Sequence, residues 1–184
     1  MQTLLFNPFE KYSEKQLLIT GLLFSGIGAY LGFVFNARFD GIIDLHFVEK
    51  ATTWQPAFDI FIDLLCTSLL LFVLGKYINK KTRLIDILSV TMIARIPFYL
   101  MTFFNINNKV YTASEGMLEL IKNEKTNQFS ADGTGFILLF SFVTILFLIW
   151  FIILLFKGFK VATNAKGTKH TLFFVIAVIV AEVL

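Results

Sequence analysis

The sequence predicts an all-α fold, an integral membrane helical bundle of about five transmembrane helices. The prediction depends on the composition, on the length of the apolar runs and on the distribution of basic residues. Apolar residues make up 57% of the chain and charged residues 16%, with a mean hydropathy of +0.75. A soluble domain of this length would be more polar. Because a bilayer core offers no water to backbone amides, and the apolar runs lack the alternation of barrel strands, helices are the expected spanning structure.

Four apolar runs supply about the 20 residues that a helix needs to cross a hydrocarbon core of about 30 Å. A fifth, shorter run lies at the end of the sequence. The predicted spans are residues 16–35, 57–75, 84–104, 135–156 and 167–184. The apolar part of the fifth, residues 171–184, would extend only about 21 Å as a helix. A tilted, partly inserted or truncated end is therefore the alternative to a full crossing.

The basic residues predict the orientation of the spans. They are concentrated before the first span, after the second and after the fourth. Short connections rich in Lys and Arg remain on the cytoplasmic side, so the N-terminus should lie inside and the C-terminus outside. We expect a cytoplasmic interfacial leader, residues 1–15, and one transmembrane domain, residues 16–184, with an outer connection at 105–134. The net charge of +3 follows from this topology and indicates no nucleic-acid partner.

Both outer connections are expected to form short surface helices. In the longer one, Thr112-Ala113-Ser114-Glu115 has the spacing of a capping box, which predicts a helix from there through Glu124. A shorter helix is predicted over residues 42–50.

Small residues in the first span predict close helix packing. Gly21, Ser25 and Ala29 share one four-residue row, and Gly28 and Gly32 lie on the next. Such rows allow helix backbones to approach closely, so we expect the first span to be central. The fourth span is rich in phenylalanine and poor in small residues, and it is expected to face lipid.

Ionisable side chains inside spans cost several kcal/mol unless they are paired or hydrated. Counted from the cytoplasmic ends of their spans, Asp63 lies about 18 Å deep and Arg95 about 16 Å deep. The two spans should be antiparallel neighbours, which predicts an ion pair between these residues. Asp59 lies one turn outward on the face of Asp63. Pro97 frees a backbone carbonyl and predicts a kink just after Arg95.

Two carboxylates have simpler explanations in their positions near span ends. Asp86 falls in the first turn after Thr82, a predicted helix cap, where a carboxylate favours the helix dipole. Asp59 follows Pro56, which suits the start of a helix and places Asp59 within a turn of the outer interface.

The intramembrane charges allow two functions. In the first, Asp63 and Arg95 form a structural ion pair within a non-enzymatic scaffold. In the second, Asp59, Asp63 and Arg95 line a polar path in a small transporter or channel component.

Motifs for catalysis, cofactor binding or metal binding are not found in the sequence. The two histidines are predicted on opposite sides of the membrane. Asp44, His46 and Glu49 have a spacing that can ligate a metal, but no second histidine or cysteine joins them, which favours a solvated loop. We therefore expect no enzyme activity and no cofactor.

The succession of five spans and four short segments resembles the Yip domain family of polytopic membrane proteins. The segments are Phe6-Asn7-Pro8-Phe9-Glu10-Lys11, Arg83-Leu84-Ile85-Asp86-Ile87-Leu88, Ala94-Arg95-Ile96-Pro97 and Phe159-Lys160-Val161-Ala162-Thr163-Asn164. The resemblance extends over most of the chain from about Leu5. Eukaryotic members are Golgi and endoplasmic-reticulum proteins that associate with Rab-type GTPases through a cytosolic N-terminal region.

This chain differs from the eukaryotic members at its N-terminus. The leader is short and lacks the aromatic Asp-Leu-Tyr-Gly-type motif, so the chain resembles a compact prokaryotic member and a Rab-type partner is not expected. The resemblance implies a scaffold or membrane-organising, trafficking-type factor in the prokaryotic cytoplasmic (inner) membrane. Its expected partners are the lipid bilayer and other membrane proteins or further copies of itself.

Overall fold

A computed structural model of the chain describes residues 5–123 and 131–183. The described chain is almost entirely helical, which confirms the all-helical prediction. The α-helices are α1 (Glu14–Val34), α2 (Gln55–Ile78), α3 (Leu84–Ala94), α4 (Ile96–Met101), α5 (Lys109–Lys122), α6 (Ala131–Thr163) and α7 (Thr168–Val183). Short 3-10 helices cover Pro8–Glu10 and Thr102–Asn108, and two-residue strands β1 (Ala37–Arg38) and β2 (His46–Phe47) pair antiparallel.

Four helical segments of the described chain are long and apolar enough to cross a membrane. They are Glu14–Val34, Gln55–Ile78, Leu84–Lys122 and Gly133–Thr163. Each coincides with one of the four longer predicted runs. Helix α7 has 16 residues, which corresponds to a length of about 24 Å.

The helices run between two ends of the bundle. The basic end carries residues 5–13 and the turns at 79–83 and 164–167, and the loop end carries residues 35–54 and 102–108. Contacts tie the basic end together: Asn79 Nδ2 donates to the Thr163 carbonyl at 3.2 Å, and Arg83 forms an ion pair with Glu14. Phe9 is buried against Gly158, so the leader packs against the bundle.

Helix α1 begins two residues before the predicted span because Ser13 caps it. The Gln16 amide donates to the Ser13 hydroxyl, and the Gln16 side chain accepts from the Ser13 amide. This reciprocal capping box satisfies amides that the first helical turn leaves free.

The third helical segment occupies the centre of the bundle, in place of α1. Within the most apolar part of each segment, 72% of the residues of the third are buried and 22% of those of α1. The prediction that the first span is central is therefore wrong. The fully buried positions of α1 are Gly21, Gly28 and Gly32, while Ser25 and Ala29 are half-buried. Because α1 is buried only along this row of glycines, most of its surface remains exposed.

The three buried glycines bring α1 against its neighbours. A methyl group at Gly21 would lie 2.8 Å from Met92 Cβ, and one at Gly28 would overlap the Tyr99 ring. These approaches are too close for any side chain, so the row sets the distance between α1 and α3–α4.

Helix α6 is exposed over its first half and packed over its second. Phe151, Leu154, Leu155 and Phe159 are buried. The Phe151 ring lies 5.0 Å from that of Phe98, between centroids. Only the first half of α6 therefore has the exposed apolar surface that a lipid-facing helix requires.

The predicted span 84–104 is broken at Arg95. Helix α3 ends at Ala94, and α4 begins at Ile96. Pro97 lacks the N–H that would continue the helical hydrogen bonds to Ile93, as the sequence predicted. The break leaves Arg95 at the junction of two helices.

At the start of α3, Thr82 does not act as the predicted helix cap. Its hydroxyl donates to the Gly75 carbonyl at 3.1 Å, which closes the end of α2. Asp86 lies in the first turn of α3, and its carboxylate accepts from Arg83 at 2.8 and 3.0 Å. Hydrogen bonds to Asp86 and then to Glu14 raise the pKa of the Arg83 guanidinium.

Helix α5 begins at Lys109, so the prediction of a capping box at Thr112 is wrong. Asn107 and Asn108 both adopt left-handed backbone conformations immediately before it. Glu124, the predicted end of the helix, lies outside the described residues.

Asn105 caps α5 and ties it to the end of α1. Its Oδ1 accepts from the amides of Val110 and Tyr111 at 3.0 and 3.1 Å. Its Nδ2 donates to the Phe35 carbonyl at 2.8 Å. One buried amide side chain therefore replaces the local capping box.

We expect Gly28→Ala to lower the free energy of unfolding by about 1–3 kcal/mol, because the Tyr99 ring must move away from the new methyl group. The measurement is denaturant or thermal unfolding of the purified protein in detergent. Gly26→Ala is the matched control, since nothing lies within 4 Å of the added carbon. Equal unfolding of both variants would contradict the contact between α1 and α4.

Candidate functional site

The connection between α1 and α2 folds back into the bundle. Strands β1 and β2 pair through Ala37 with Phe47 and Arg38 with His46, and they enclose a loop at residues 39–45. Phe39 and Ile42 in this loop are fully buried. The predicted helix over residues 42–50 is therefore wrong, because the strand pairing directs these apolar side chains inward. We call residues 39–43 the inserted segment.

The inserted segment reaches the level of Arg95. The Arg95 guanidinium donates to the Gly41 carbonyl at 3.3 Å and to the Ile42 carbonyl at 3.4 Å. Arg95 lies 11 residues beyond the start of α3, or about 16 Å along the helix axis. That is about half of a hydrocarbon core of about 30 Å. Non-helical backbone at such a depth must find its hydrogen-bond partners within the protein.

Arg95 also pairs with Asp63. Their Nη2 and Oδ2 atoms are 2.7 Å apart, and the side chains are only 3% and 7% exposed. The guanidinium lies 5.9 Å from the ring centroid of Phe39 and 6.0 Å from that of Phe98, at the outer limit of a cation–π contact. The structure thus brings together the two residues that depth counting paired.

Asp59 pairs with Arg38. The carboxylate accepts from Arg38 Nε at 2.5 Å and from Nη2 at 3.0 Å, and it also accepts from the Phe39 amide at 3.4 Å. The hydrogen bond to Asp59 raises the pKa of Arg38, although burial opposes the shift. Asp59 therefore binds the first residue of the inserted segment. It lies one helical turn before Asp63 in α2.

Glu182 holds the end of the inserted segment. Its Oε2 accepts from the Ile43 amide at 2.8 Å. Helix α7 therefore reaches the inserted segment, although it is the shortest of the predicted spans. Three helices in all bind the backbone of residues 39–43: α2 through Asp59, the α3–α4 junction through Arg95, and α7 through Glu182.

Sequence reasoning missed Arg38 and the inserted segment. It identified Asp59, Asp63 and Arg95 as charges inside spans, but it placed residues 36–56 in an outer connection at the surface. The signal was the pattern Arg38-Phe39-Asp40-Gly41-Ile42, in which large apolar residues stand within a connection that was expected to be solvated.

The loop histidine lies among carboxylates at the rim of this site. His46 Nε2 is 3.5 Å from Asp40, and Nδ1 is 3.8 Å from Asp44. Within residues 5–123 and 131–183, no three His, Cys, Asp or Glu side chains are grouped in a way that could hold a metal ion.

Several buried polar atoms around the ion pair have no hydrogen-bond partner in the described part of the chain. They include Ser25 Oγ, the Tyr99 hydroxyl oxygen, Arg95 Nε and Asp63 Oδ2, the last of which is held by its ion pair with Arg95. Buried groups of this kind are satisfied in many proteins by an ordered water.

We expect Asp63→Asn and Arg95→Gln each to lower the free energy of unfolding by about 3–5 kcal/mol, because each leaves a buried charge without its partner. The double variant should lose less than the sum of the two single losses, by about 0.5–3 kcal/mol. Unfolding of the four proteins in detergent measures this coupling.

The exposed pair Arg83 and Asp86 is the control, and the same cycle there should show a much smaller coupling. Strictly additive losses at Asp63 and Arg95 would contradict a direct interaction.

Comparison of the chain with protein-family models, with curated proteins and with solved structures finds no match in any of the three.

Proposed function

We propose that the chain is a non-enzymatic integral membrane protein of the Yip type, a scaffold or membrane-organising factor. In this proposal five helices cross a prokaryotic cytoplasmic (inner) membrane, with the N-terminus inside and the C-terminus outside. The basic end faces the cytoplasm, and the loop end faces outward. The partners are the bilayer and other membrane proteins or further copies of the chain.

The observation that carries the scaffold proposal is that the intramembrane charges are bound to other parts of the protein. Asp59, Asp63, Arg95 and Glu182 all bind one another, Arg38 or the backbone of the inserted segment. Charges that bind substrates or protons along a path must be open to water at some stage. Here Asp59, Asp63 and Arg95 are buried, and their partners are other side chains of the bundle or the backbone of the inserted segment.

The position of α7 supports a fifth crossing. Its first residue, Thr168, follows the turn at the basic end, and Glu182 bonds to Ile43 in the inserted segment. The inserted segment extends from the loop end toward the middle of the bundle. Because α7 has only to reach this segment, a helix of 16 residues is long enough to connect it with the basic end. This geometry favours a crossing helix over a surface helix.

The segments that carry the Yip resemblance have structural roles in this chain. Ala94-Arg95-Ile96-Pro97 forms the helix break that places Arg95 next to the inserted segment. In the late segment, Phe159 is buried, and Asn164 adopts a left-handed conformation that ends α6. The proposal assigns no catalytic role to these residues.

A small transporter or channel component is the alternative function. The buried atoms Ser25 Oγ, Tyr99 hydroxyl oxygen and Arg95 Nε favour it, because a water among them would begin a polar path beside Asp63.

Ion flux distinguishes these two functions. We expect liposomes that contain the wild-type protein to show no more proton or cation flux than liposomes that contain Asp63→Asn. The reason is that the Asp63 carboxylate is paired with Arg95 and so does not bind a transported ion. Asp86→Asn, which alters a carboxylate near the basic end, is the control. Flux in the wild type that Asp63→Asn abolishes and Asp86→Asn preserves would establish the transport function and exclude the scaffold.

Cysteine accessibility tests the topology. In a Cys66→Ser background, His46→Cys and Glu115→Cys should react with an impermeant thiol reagent from outside the cell. Thr168→Cys should react only after the membrane is opened, because it follows the basic turn. Labelling of positions 46 and 168 from the same side would contradict the proposed topology, in which three crossings separate them.

Crosslinking in native membranes tests the scaffold role directly. A photoreactive group at Phe142, which is exposed on the first half of α6, should give a discrete adduct with another membrane protein or a second copy. Adducts with lipid alone at Phe142 and at other exposed positions of this face would argue against a protein partner there.

A further inference from the structure

We propose that the basic end holds a specific site for an anionic phospholipid of the cytoplasmic leaflet. In this site a lysine cleft takes the phosphate, and an adjoining apolar groove takes part of one acyl chain. The inference depends on the proposed membrane location and adds a defined ligand to it.

The lysine cleft lies between the leader and the α6–α7 turn. It has a volume of 610 Å³, and Lys157, Lys160 and Lys166 line it together with a single carboxylate, Glu10. Within the described ranges, these three lysines form no ion pair with Asp or Glu side chains, whereas Arg83 at the same end is paired with two carboxylates. Three lysines and one carboxylate give the cleft a net positive charge, which complements a phosphodiester.

The cleft also offers hydrogen-bonding groups for a headgroup. The Asn7 Oδ1 atom at its wall is buried and has no hydrogen-bond partner in the part of the chain that the structure describes. This oxygen can accept from a hydroxyl, such as those on the glycerol headgroup of phosphatidylglycerol. The first turn of α7 begins at Thr168, immediately after Gly167 in the cleft wall, so its free amides add positive potential.

An apolar groove lies along α6, near the lysine cleft. It has a volume of 240 Å³, and its walls include Phe6, Ile149, Trp150 and Ile153. The walls of the two cavities come close to each other at two places along the chain. Phe6 in the groove precedes Asn7 in the cleft, and Ile153 lies one turn, or about 6 Å, from Lys157 on α6.

This juxtaposition identifies a lipid of the bilayer as the occupant. A free phosphate would use the cleft and ignore the groove, and a neutral lipid would use the groove and ignore the lysines. An anionic phospholipid matches both cavities in the order in which they occur along α6. Lysines near a membrane surface each contribute about 1 kcal/mol of attraction to anionic lipid.

Fluorescence quenching of Trp150 tests the site. A Trp54→Phe variant leaves Trp150 as the only tryptophan, since the chain contains two. The protein is reconstituted into phosphatidylcholine vesicles that contain a small fraction of either brominated phosphatidylglycerol or brominated phosphatidylcholine. We expect the brominated phosphatidylglycerol to quench Trp150 more strongly at the same mole fraction. Replacing Lys157, Lys160 and Lys166 by Gln should lower the relative affinity for phosphatidylglycerol about tenfold.

Lys76, Lys80 and Lys81 provide the matched control, because they carry the same charge at the same end and lie outside the cleft. Their replacement by Gln should leave the preference for phosphatidylglycerol unchanged. Loss of the preference in both triple variants would show a diffuse surface attraction and would overturn a specific site.

Three further outcomes identify what has failed. Equal quenching by both brominated lipids would overturn the lipid site while it confirms that Trp150 lies in the bilayer. No quenching by either lipid would instead contradict the membrane location and, with it, the proposed function. If inorganic phosphate abolishes the preference at constant ionic strength, the cleft takes free phosphate and the lipid assignment is wrong.

Discussion

The arrangement of the bundle depends on the need to satisfy the backbone of the inserted segment. Residues 39–43 are non-helical, and Phe39 and Ile42 are buried, so their amides and carbonyls require partners from the protein. Asp59 and Glu182 accept from two amides, and Arg95 donates to two carbonyls. These side chains therefore replace the water that the loop backbone has lost, while Arg38 neutralises Asp59 and Asp63 neutralises Arg95. Removal of Asp59 or Arg95 would leave both a charge and a peptide group without a partner, and removal of Glu182 would leave the Ile43 amide without this bond.

The break at Arg95 makes this arrangement possible. Pro97 ends α3 before the chain reaches the loop end, and the junction directs the guanidinium toward Gly41 and Ile42. The glycine row of α1 then permits the Tyr99 ring to lie against the α1 backbone at Gly28. The third helical segment thus contacts α1 closely on one side and pairs Arg95 with Asp63 of α2 on the other. These two contacts hold it at the centre of the bundle. The first half of α6 remains outside this core and exposes its large apolar side chains.

The sequence predicted those parts of the structure that follow from periodicity and length. The pairing of Asp63 with Arg95 followed from counting depth along two antiparallel helices, and the break followed from the chemistry of Pro97. The inserted segment could not be predicted in this way, because a connection with charged residues resembles a solvated loop until its partners are known. The cap of α5 was missed for a related reason. Asn105 is fixed by a hydrogen bond to Phe35, 70 residues away, and this contact outweighs the local capping signal at Thr112.

The bond between Glu182 and Ile43 joins residues that are 139 positions apart. Ile43 is synthesised long before Glu182, so its amide gains this partner only after α2, the third helical segment and α6 have been made. Contacts of such high sequence separation carry a large loop-closure cost and form late in folding. The bond between Glu182 and Ile43 therefore secures a loop whose other partners, Asp59 and Arg95, are already present in the chain.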